Sequence, residues 1–282
     1  MEELIWINGE VMPLAEARIG VEDRGFQFAD GVYEVIRVYG GRAFALAEHL
    51  ARLERSCAGI SLAMPMSTDE LAGHIQRLIV RTALRDGMIY LQLTRGQAPR
   101  NHVFGQCTPT LLFYARELPP VPLAAESPGL KLISVNDERW HRCWIKSIAL
   151  LPNVLAKNQA VAAGADEAVF IADGYATECC SSNLFIVARG SLLTHPVGPK
   201  VLPGITRLML LELARRMDIA AIERPISEAE ALAADEVFIT STTREIGWVG
   251  QWNGRRIGQG RCGPVTSRLH ELLRQAIAEG TG

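Results

Sequence analysis

Hydrophobic positions along the chain switch repeatedly between a period of two and a helical period. Leu4-Ile5-Trp6-Ile7, then Asn8-Gly9, then Glu10-Val11 predicts a hairpin with a primed turn, since Asn-Gly tolerates the positive φ that such turns require. Residues 32–38 alternate and are rich in β-branched side chains, which predicts a strand, and Gly40-Gly41 turns it into Ala43-Phe44-Ala45-Leu46. Leu50, Leu53, Cys57 and Ile60 recur at helical spacing. Ser67-Thr68-Asp69-Glu70 is a capping box that opens a second helix carrying Leu71, Ile75, Leu78 and Ile79. Strands over 88–94 and 108–115 follow, separated by a loop that holds Gly96, Pro99, Arg100 and His102.

Leu118-Pro119-Pro120-Val121-Pro122, continuing to Ser127-Pro128-Gly129, is the clearest break, because closely spaced prolines stiffen a connection and end regular elements. It predicts a small N-terminal α/β domain over 1–120, a linker over 121–129 and a larger C-terminal domain over 130–282. That second part reads as a strand at 130–135, a helix through Val154, Leu155, Gln159 and Val161 that ends at Gly164, and a strand at 167–171. Asp173-Gly174 turns into Ala176-Thr177-Glu178, and a strand follows at 184–187. Gly204 opens a helix over 205–217, Ser227 to Glu230 is a second capping box, a strand at 237–240 runs into Ser241-Thr242-Thr243, and Pro264 begins a closing helix. Several strands are linked as hairpins, so the expected class is α+β with a barrel-like mixed sheet in the C-terminal domain, not a doubly wound fold.

Composition narrows the functions. The 282 residues are 48% hydrophobic and 21% charged with a net charge of −2, which leaves no electrostatic footprint for nucleic acid or an anionic membrane. No apolar run reaches the ~18 residues of a membrane span. The start, Met1-Glu2-Glu3, lacks the basic-then-apolar order of a secretory signal, so the expected location is the cytoplasm. Six cysteines show no metal spacing, no metal is expected, and reduced thiols are the default reading.

Four lysines stand against 25 arginines. Lysine, unlike arginine, loses its proton readily enough to attack a carbonyl, so each one is a candidate nucleophile. Lys146 lies in Arg139-Trp140-His141-Arg142-Cys143-Trp144-Ile145-Lys146-Ser147, with aromatic and cationic neighbours of the kind that favour a neutral amine; it also reads as a surface lysine covering an aromatic ring. Gly204-Ile205-Thr206 offers the amides of a helix start to an anion, and Ser241-Thr242-Thr243 offers hydroxyls and amides after a strand. Arg52 beside an apolar helix face, Glu178 among small residues, Arg100 with His102 in one loop, and Tyr33 with Tyr90 on strands complete the candidates. Each has a plain alternative: an ordinary helix start, a local turn, a solvated charge or a core aromatic. Together they supply a lysine, a carboxylate, an anion cradle and arginines, which is the set that pyridoxal 5′-phosphate (PLP) requires.

The chain resembles the D-amino acid aminotransferases of the fold-type IV PLP class, which also holds branched-chain aminotransferases and aminodeoxychorismate lyase. The resemblance rests on residues 22–34, Glu48-His49-Leu50-Ala51-Arg52-Leu53, Thr94-Arg95-Gly96, Pro99-Arg100-Asn101-His102, Ile145-Lys146-Ser147, Ser181-Ser182-Asn183, Gly204-Ile205-Thr206-Arg207 and Thr240-Ser241-Thr242-Thr243. It implies that Lys146 binds the cofactor covalently and later moves the substrate proton, and that Glu178 pairs with the pyridine nitrogen. It implies that Arg52, Ile205, Thr206 and Thr242 hold the phosphate and that Leu202 packs on the ring. Tyr33, Arg100 and His102 would receive the substrate α-carboxylate, the latter two resembling residues given by a partner subunit in a homodimer. The implied substrates are D-amino acids such as D-alanine and D-glutamate and the 2-oxo acids pyruvate and 2-oxoglutarate. A carboxylate about 4 Å from the ring nitrogen, at an effective dielectric of about 20, contributes roughly 4 kcal/mol, or about three pKa units. Arg100-x-His102 points away from the branched-chain enzymes. Cys179-Cys180, where glycine and serine are more usual, and stretches such as Leu202-Pro203-Gly204 that also suit the branched-chain enzymes, leave the lyase and the L-branched-chain transaminase as alternatives.

Overall fold

A computed structural model of the chain describes residues 3–280, so the reading of Met1-Glu2 lies outside the described residues. The chain forms two compact units. One runs up to Pro120 and also takes in Ile145–Ala149; the other comprises Val121–Trp144 and Leu150–Glu279. The short segment that carries Lys146 therefore packs with the first unit, although it follows the proline-rich break in sequence.

In the first unit the elements are β1 (Leu4–Ile7), β2 (Glu10–Pro13), α1 (Arg24–Phe28), β3 (Gly31–Tyr39), β4 (Arg42–Ala43), α2 (Leu46–Gly59), α3 (Thr68–Arg81), β5 (Gly87–Thr94) and β6 (Thr110–Glu117). The six strands make one antiparallel sheet in the order β2-β1-β6-β5-β3-β4. The Asn8-Gly9 turn has positive φ at both residues, 48° and 103°, as a primed hairpin turn demands. At α3 both halves of the capping box form, with Glu70 N donating to Ser67 Oγ and Ser67 N donating to Glu70 Oε2. Leu50, Leu53 and Cys57 of α2 and Leu71, Ile75, Leu78 and Ile79 of α3 join Val32, Ile36, Ile89, Leu91 and Phe113 in one core. The period-two and period-3.6 patterns thus meet on one face of the sheet, which leaves its other face to carry Tyr33, Tyr90 and Tyr114.

In the second unit the elements are β7 (Leu130–Asn136), α4 (Leu151–Ala162), β8 (Glu167–Ala172), β9 (Tyr175–Cys179), β10 (Asn183–Ala188), β11 (Ser191–Thr194), α5 (Ile205–Arg216), β12 (Ala221–Glu223), β13 (Ile226–Ser227), α6 (Glu228–Leu232), β14 (Glu236–Ser241), β15 (Glu245–Trp252), β16 (Arg255–Arg256) and α7 (Pro264–Glu279). They build a curled, half-barrel mixed sheet in the order β12-β11-β10-β14-β15-β7-β8-β9-β13, with β16 paired to β15. The pairs β15–β7, β7–β8 and β11–β12 are parallel and the others are antiparallel. The α+β class with a mixed, barrel-like sheet is as expected. The sequence pattern left β11, β12, β13, β15 and β16 unread; in β15, Gly247 and Gly250 interrupt the alternation. There Gly247 lets Leu130 and Arg244 approach within 2.6 and 2.7 Å of where a Cβ would stand. The helix α4 packs through small residues. It buries Ala156 and Ala160, while Leu151, Val154, Leu155 and Val161 are more than half exposed.

Candidate active site

In the first unit Lys146 is fixed through its backbone. Tyr33 N donates to Lys146 O at 3.0 Å, Ile148 N donates to Gly31 O at 3.1 Å, and Val32 and Ser147 form a bridge, so the lysine segment runs as a short extra strand beside β3. Lys146 N donates to Ser56 Oγ of α2 at 3.1 Å, and Ile145 enters the core. Gly31 is what permits this approach, because a Cβ there would stand 2.7 Å from Leu93 O and 3.0 Å from Ile148 Cδ1. The Lys146 ammonium lies 4.2 Å from the centre of the Tyr33 ring. Tyr33 stacks on Tyr90 at 6.0 Å, and Tyr90 meets Tyr114 at 5.3 Å. Burial pushes the Tyr90 hydroxyl up to about 12, so it stays protonated and donates to Gln92 Oε1 at 2.7 Å.

Arg52 is not a solvated flank of α2 but is 3% exposed. Its Nε and Nη2 donate to the two oxygens of Glu34 at 2.7 and 2.8 Å, and His49 Nδ1 stands 2.7 Å from Glu34 Oε2. An ionised carboxylate only accepts, so His49 Nδ1 carries a proton and donates it. Burial holds the His49 imidazole below its usual pKa despite the upward pull of Glu34. The two other candidates of this unit, Arg100 and His102, lie on the loop between β5 and β6 and pack on Phe28. Among the described residues no hydrogen bond or ring contact joins either to Tyr33.

In the second unit Glu178 is 5% exposed at the end of β9, before the turn into β10. Asn183 Nδ2 and Leu202 N each donate to Glu178 Oε2 at 3.0 Å, and Arg139 Nη1 donates to Oε1. Arg139 also binds both oxygens of Asp137 at 3.0 Å and lies 4.1 Å over the Phe170 ring. Burial works against the Arg139 charge, but Asp137 and Glu178 outweigh it and hold the guanidinium firmly protonated. Leu202 O accepts from Asn183 Nδ2 at 2.9 Å, so the stretch before α5 is tied to the same carboxylate. Gly204 then begins α5 with no side-chain cap, and the amides of Ile205 and Thr206 form its first turn. A Cβ on Gly204 would stand 2.0 Å from Asn183 Oδ1. Thr242 sits in the tight turn between β14 and β15, where Arg244 N donates to Ser241 Oγ at 3.3 Å.

The candidates therefore fall into two sets. Tyr33, Arg52, Arg100, His102 and Lys146 belong to the first unit, and Glu178, Leu202, Ile205, Thr206 and Thr242 to the second. The donor chemistry of the second set fits PLP. Among the described residues the buried Thr240 hydroxyl has no partner, α5 starts uncapped, and Glu178 is held as an acceptor: suitable partners for a phosphate and for a ring cation. Four residues escaped the sequence reading of the site: Glu34, His49, Arg139 and Asn183. Arg139 carried a local signal, two residues from Asp137 and inside the lysine segment, whereas Glu34, His49 and Asn183 lie within the motifs of the resemblance without a role assigned to them there. Among the described residues there is no cluster of side chains suited to a metal ion and no helix long and apolar enough to cross a membrane.

A two-unit α+β fold with a strand-held lysine and a carboxylate pinned among donors suits a PLP-dependent enzyme of fold type IV. Residues 31–252 match the model of amino-transferase class IV, and the chain belongs to that family. It is 42% identical over 278 residues to the D-alanine aminotransferase of Bacillus licheniformis, covering 98% of each chain. It is 39% identical over 282 residues to that of Listeria monocytogenes serotype 4b (strain F2365), covering 99% of this chain and 97% of the relative. Among solved structures, the branched-chain aminotransferase from the thermophilic archaeon Thermoproteus uzoniensis with norvaline superposes with a TM-score of 0.89 at 26% identity, covering 99% of this chain and 95% of that one. The branched-chain amino acid aminotransferase from Escherichia coli gives 0.87 at 27% identity, covering 100% and 94%.

Proposed function

We propose that this chain transfers the amino group of a D-amino acid, such as D-alanine or D-glutamate, to a 2-oxo acid such as 2-oxoglutarate or pyruvate. The observation that carries this reading is its similarity to D-alanine aminotransferases along nearly the whole length of both chains. PLP, when bound, supplies an electrophilic aldehyde and an electron-accepting ring. Lys146 Nζ would hold the aldehyde carbon of the cofactor and, as a free amine, would take the proton from the Cα of the donor in one half-reaction and deliver one to the Cα of the acceptor in the other. Glu178, fixed by Arg139, Asn183 and the Leu202 amide, would keep the ring nitrogen protonated. Arg52, the amides of Ile205 and Thr206, and Thr242 would hold the phosphate, with Leu202 against the ring. Tyr33, Arg100 and His102 would receive the α-carboxylate.

The domain reading of 1–120, 121–129 and 130–282 remains part of the proposal, as do a cytoplasmic location and a homodimer. Self-association is supported by the exposed apolar side chains Val21, Phe26 and Val103 in the first unit and Leu151, Val154, Leu155 and Val161 in the second.

The test has two parts. The protein loaded with PLP should absorb in the visible and lose that band on borohydride reduction, with the label on the peptide that contains Lys146; a label on Lys157 would refute the assignment. D-alanine with 2-oxoglutarate should yield pyruvate and D-glutamate. Turnover of L-leucine or of aminodeoxychorismate in place of D-alanine would transfer the chain to one of the alternative activities.

A further inference from the structure

The loop between β5 and β6 carries Arg100 and His102, and the segment around α1 holds it at three levels. At its neck, Asp23 accepts from Thr94 Oγ1 at 3.0 Å and from Thr110 Oγ1 at 2.8 Å, so one buried carboxylate ties the end of β5 to the start of β6. Along its backbone, Arg24 donates Nη1 to Asn101 O at 2.5 Å and Nη2 to His102 O at 3.4 Å. Arg24 is 3% exposed and is itself oriented by Asp30, to which its Nε donates at 2.8 Å. Asp30 binds Arg95 as well, at 2.8 and 2.9 Å. At its side chains, the Phe28 ring faces the Arg100 guanidinium at 4.8 Å and the His102 imidazole at 5.5 Å, with Arg24 at 4.9 Å.

The chemistry of these contacts is selective. An arginine stacked on an aromatic ring is gripped by its face, and its in-plane N–H donors stay available. Among the described residues, Arg100 and His102 make no side-chain hydrogen bond and no ion pair. The two side chains expected to bind an anion are thus held without an anionic partner of their own. The adjacent Arg24 and Arg95 share Asp30, so that carboxylate is engaged elsewhere.

We propose that Arg24 and Phe28 are positioning residues for carboxylate recognition. Arg24 sets the Asn101 and His102 peptides, and Phe28 packs over the Arg100 guanidinium and, tilted by 46°, against the His102 ring, so that both side chains keep their N–H groups for the α-carboxylate. This rests on the reading that Arg100 and His102 bind that carboxylate. Donor and acceptor both carry the group, so a defect here weakens both half-reactions alike and leaves the chemistry at Cα intact. Loss of the aromatic face is expected to weaken carboxylate binding about 3- to 10-fold.

The experiment compares Phe28→Leu, Phe28→Tyr, Arg24→Lys and Arg100→Ala in the PLP-loaded enzyme, with KM and kcat measured for D-alanine and for 2-oxoglutarate. Phe28→Leu is expected to raise both KM values about 3- to 10-fold with kcat within about twofold and unaltered visible absorbance. Phe28→Tyr, which keeps the aromatic face, should restore most of the affinity, and Arg24→Lys, which cannot reach two carbonyls and Asp30 at once, should behave like Phe28→Leu. If Arg100→Ala raises KM and Phe28→Leu does not, the positioning role is overturned while carboxylate binding by Arg100 stands. An unchanged KM in Arg100→Ala overturns the underlying reading. A fall in kcat and cofactor absorbance in Phe28→Leu with KM unchanged would mean a general structural role and also overturns the proposal. Should Arg24→Lys fail to fold, the Phe28 pair decides.

Discussion

Arg52 and Glu34 form a two-pronged ion pair, Nε to Oε1 at 2.7 Å and Nη2 to Oε2 at 2.8 Å, with the carboxylate fully buried. Burial by itself would raise the Glu34 carboxyl, but the Arg52 charge and hydrogen bonds, aided by His49, hold it at about 2 against an ordinary 4.5. A folded-state pKa below the unfolded one stabilises the fold above the unfolded value and stops doing so as pH falls through the folded value. The protein should therefore lose stability between about pH 4.5 and 2 through this group. Glu34→Gln should lower Tm at pH 7, because it leaves Arg52 buried without its counter-charge, and should flatten the pH dependence in that window. Thermal melts of both proteins from about pH 7 down to about pH 2.5 check this; equal slopes in the acid window would rule it out.

Arg139 should matter through Glu178. Arg139→Ala removes the donor to Glu178 Oε1 and leaves Asp137 with one cation fewer. The expected result is a fall in kcat of about 10-fold or more, given about 1.5–3 kcal/mol for a charged hydrogen bond. Retained turnover would show that Glu178 keeps its place without Arg139.

Gly204→Ala tests the connection between α5 and β10. The φ of −63° suits any residue, so backbone strain is not at issue. The added methyl would meet Asn183 Oδ1 at 2.0 Å and must displace the amide that binds Glu178. The variant should lose about 1–3 kcal/mol of stability and bind PLP more weakly. Denaturant titration with a PLP binding isotherm measures both.

Thiol chemistry should separate the cysteines. Burial pushes Cys57 and Cys180 up to about 12 and Cys143 and Cys262 to about 11, and raises Cys179 well above its usual value. Cys107, half-exposed in the β5–β6 loop, should give the fast phase with a disulfide reagent at mildly alkaline pH, and Cys107→Ser should abolish it. A fast phase that survives this change would place a reactive thiolate elsewhere.

Local physics was legible in the sequence. Asn8-Gly9 specified a primed turn because two successive positive φ values are needed there, and Ser67-x-x-Glu70 specified a helix start because two orphan amides must be capped within four residues. The hairpin-linked strands pointed to the α+β class, and the ordered motifs from Asp23 to Thr243 pointed to the family. Each of these depends on residues close in the chain or on motifs that read in one dimension.

Tertiary structure decided the rest. The chain pattern gives Arg52 the look of a solvated flank; it is buried because Glu34, eighteen positions earlier on another element, supplies the opposite charge. The same holds for Arg139 with Glu178, and for Arg24 with the carbonyls of Asn101 and His102, 77 and 78 residues away. In α4 the tertiary packing selects the small residues, since Ala156 and Ala160 pack with Phe170 and Ala168 and leave Val154 and Leu155 outside. Hydrophobic period reports which residues share a face. Which face is buried, and which buried charge finds a partner, depends on distances between segments that no local pattern encodes.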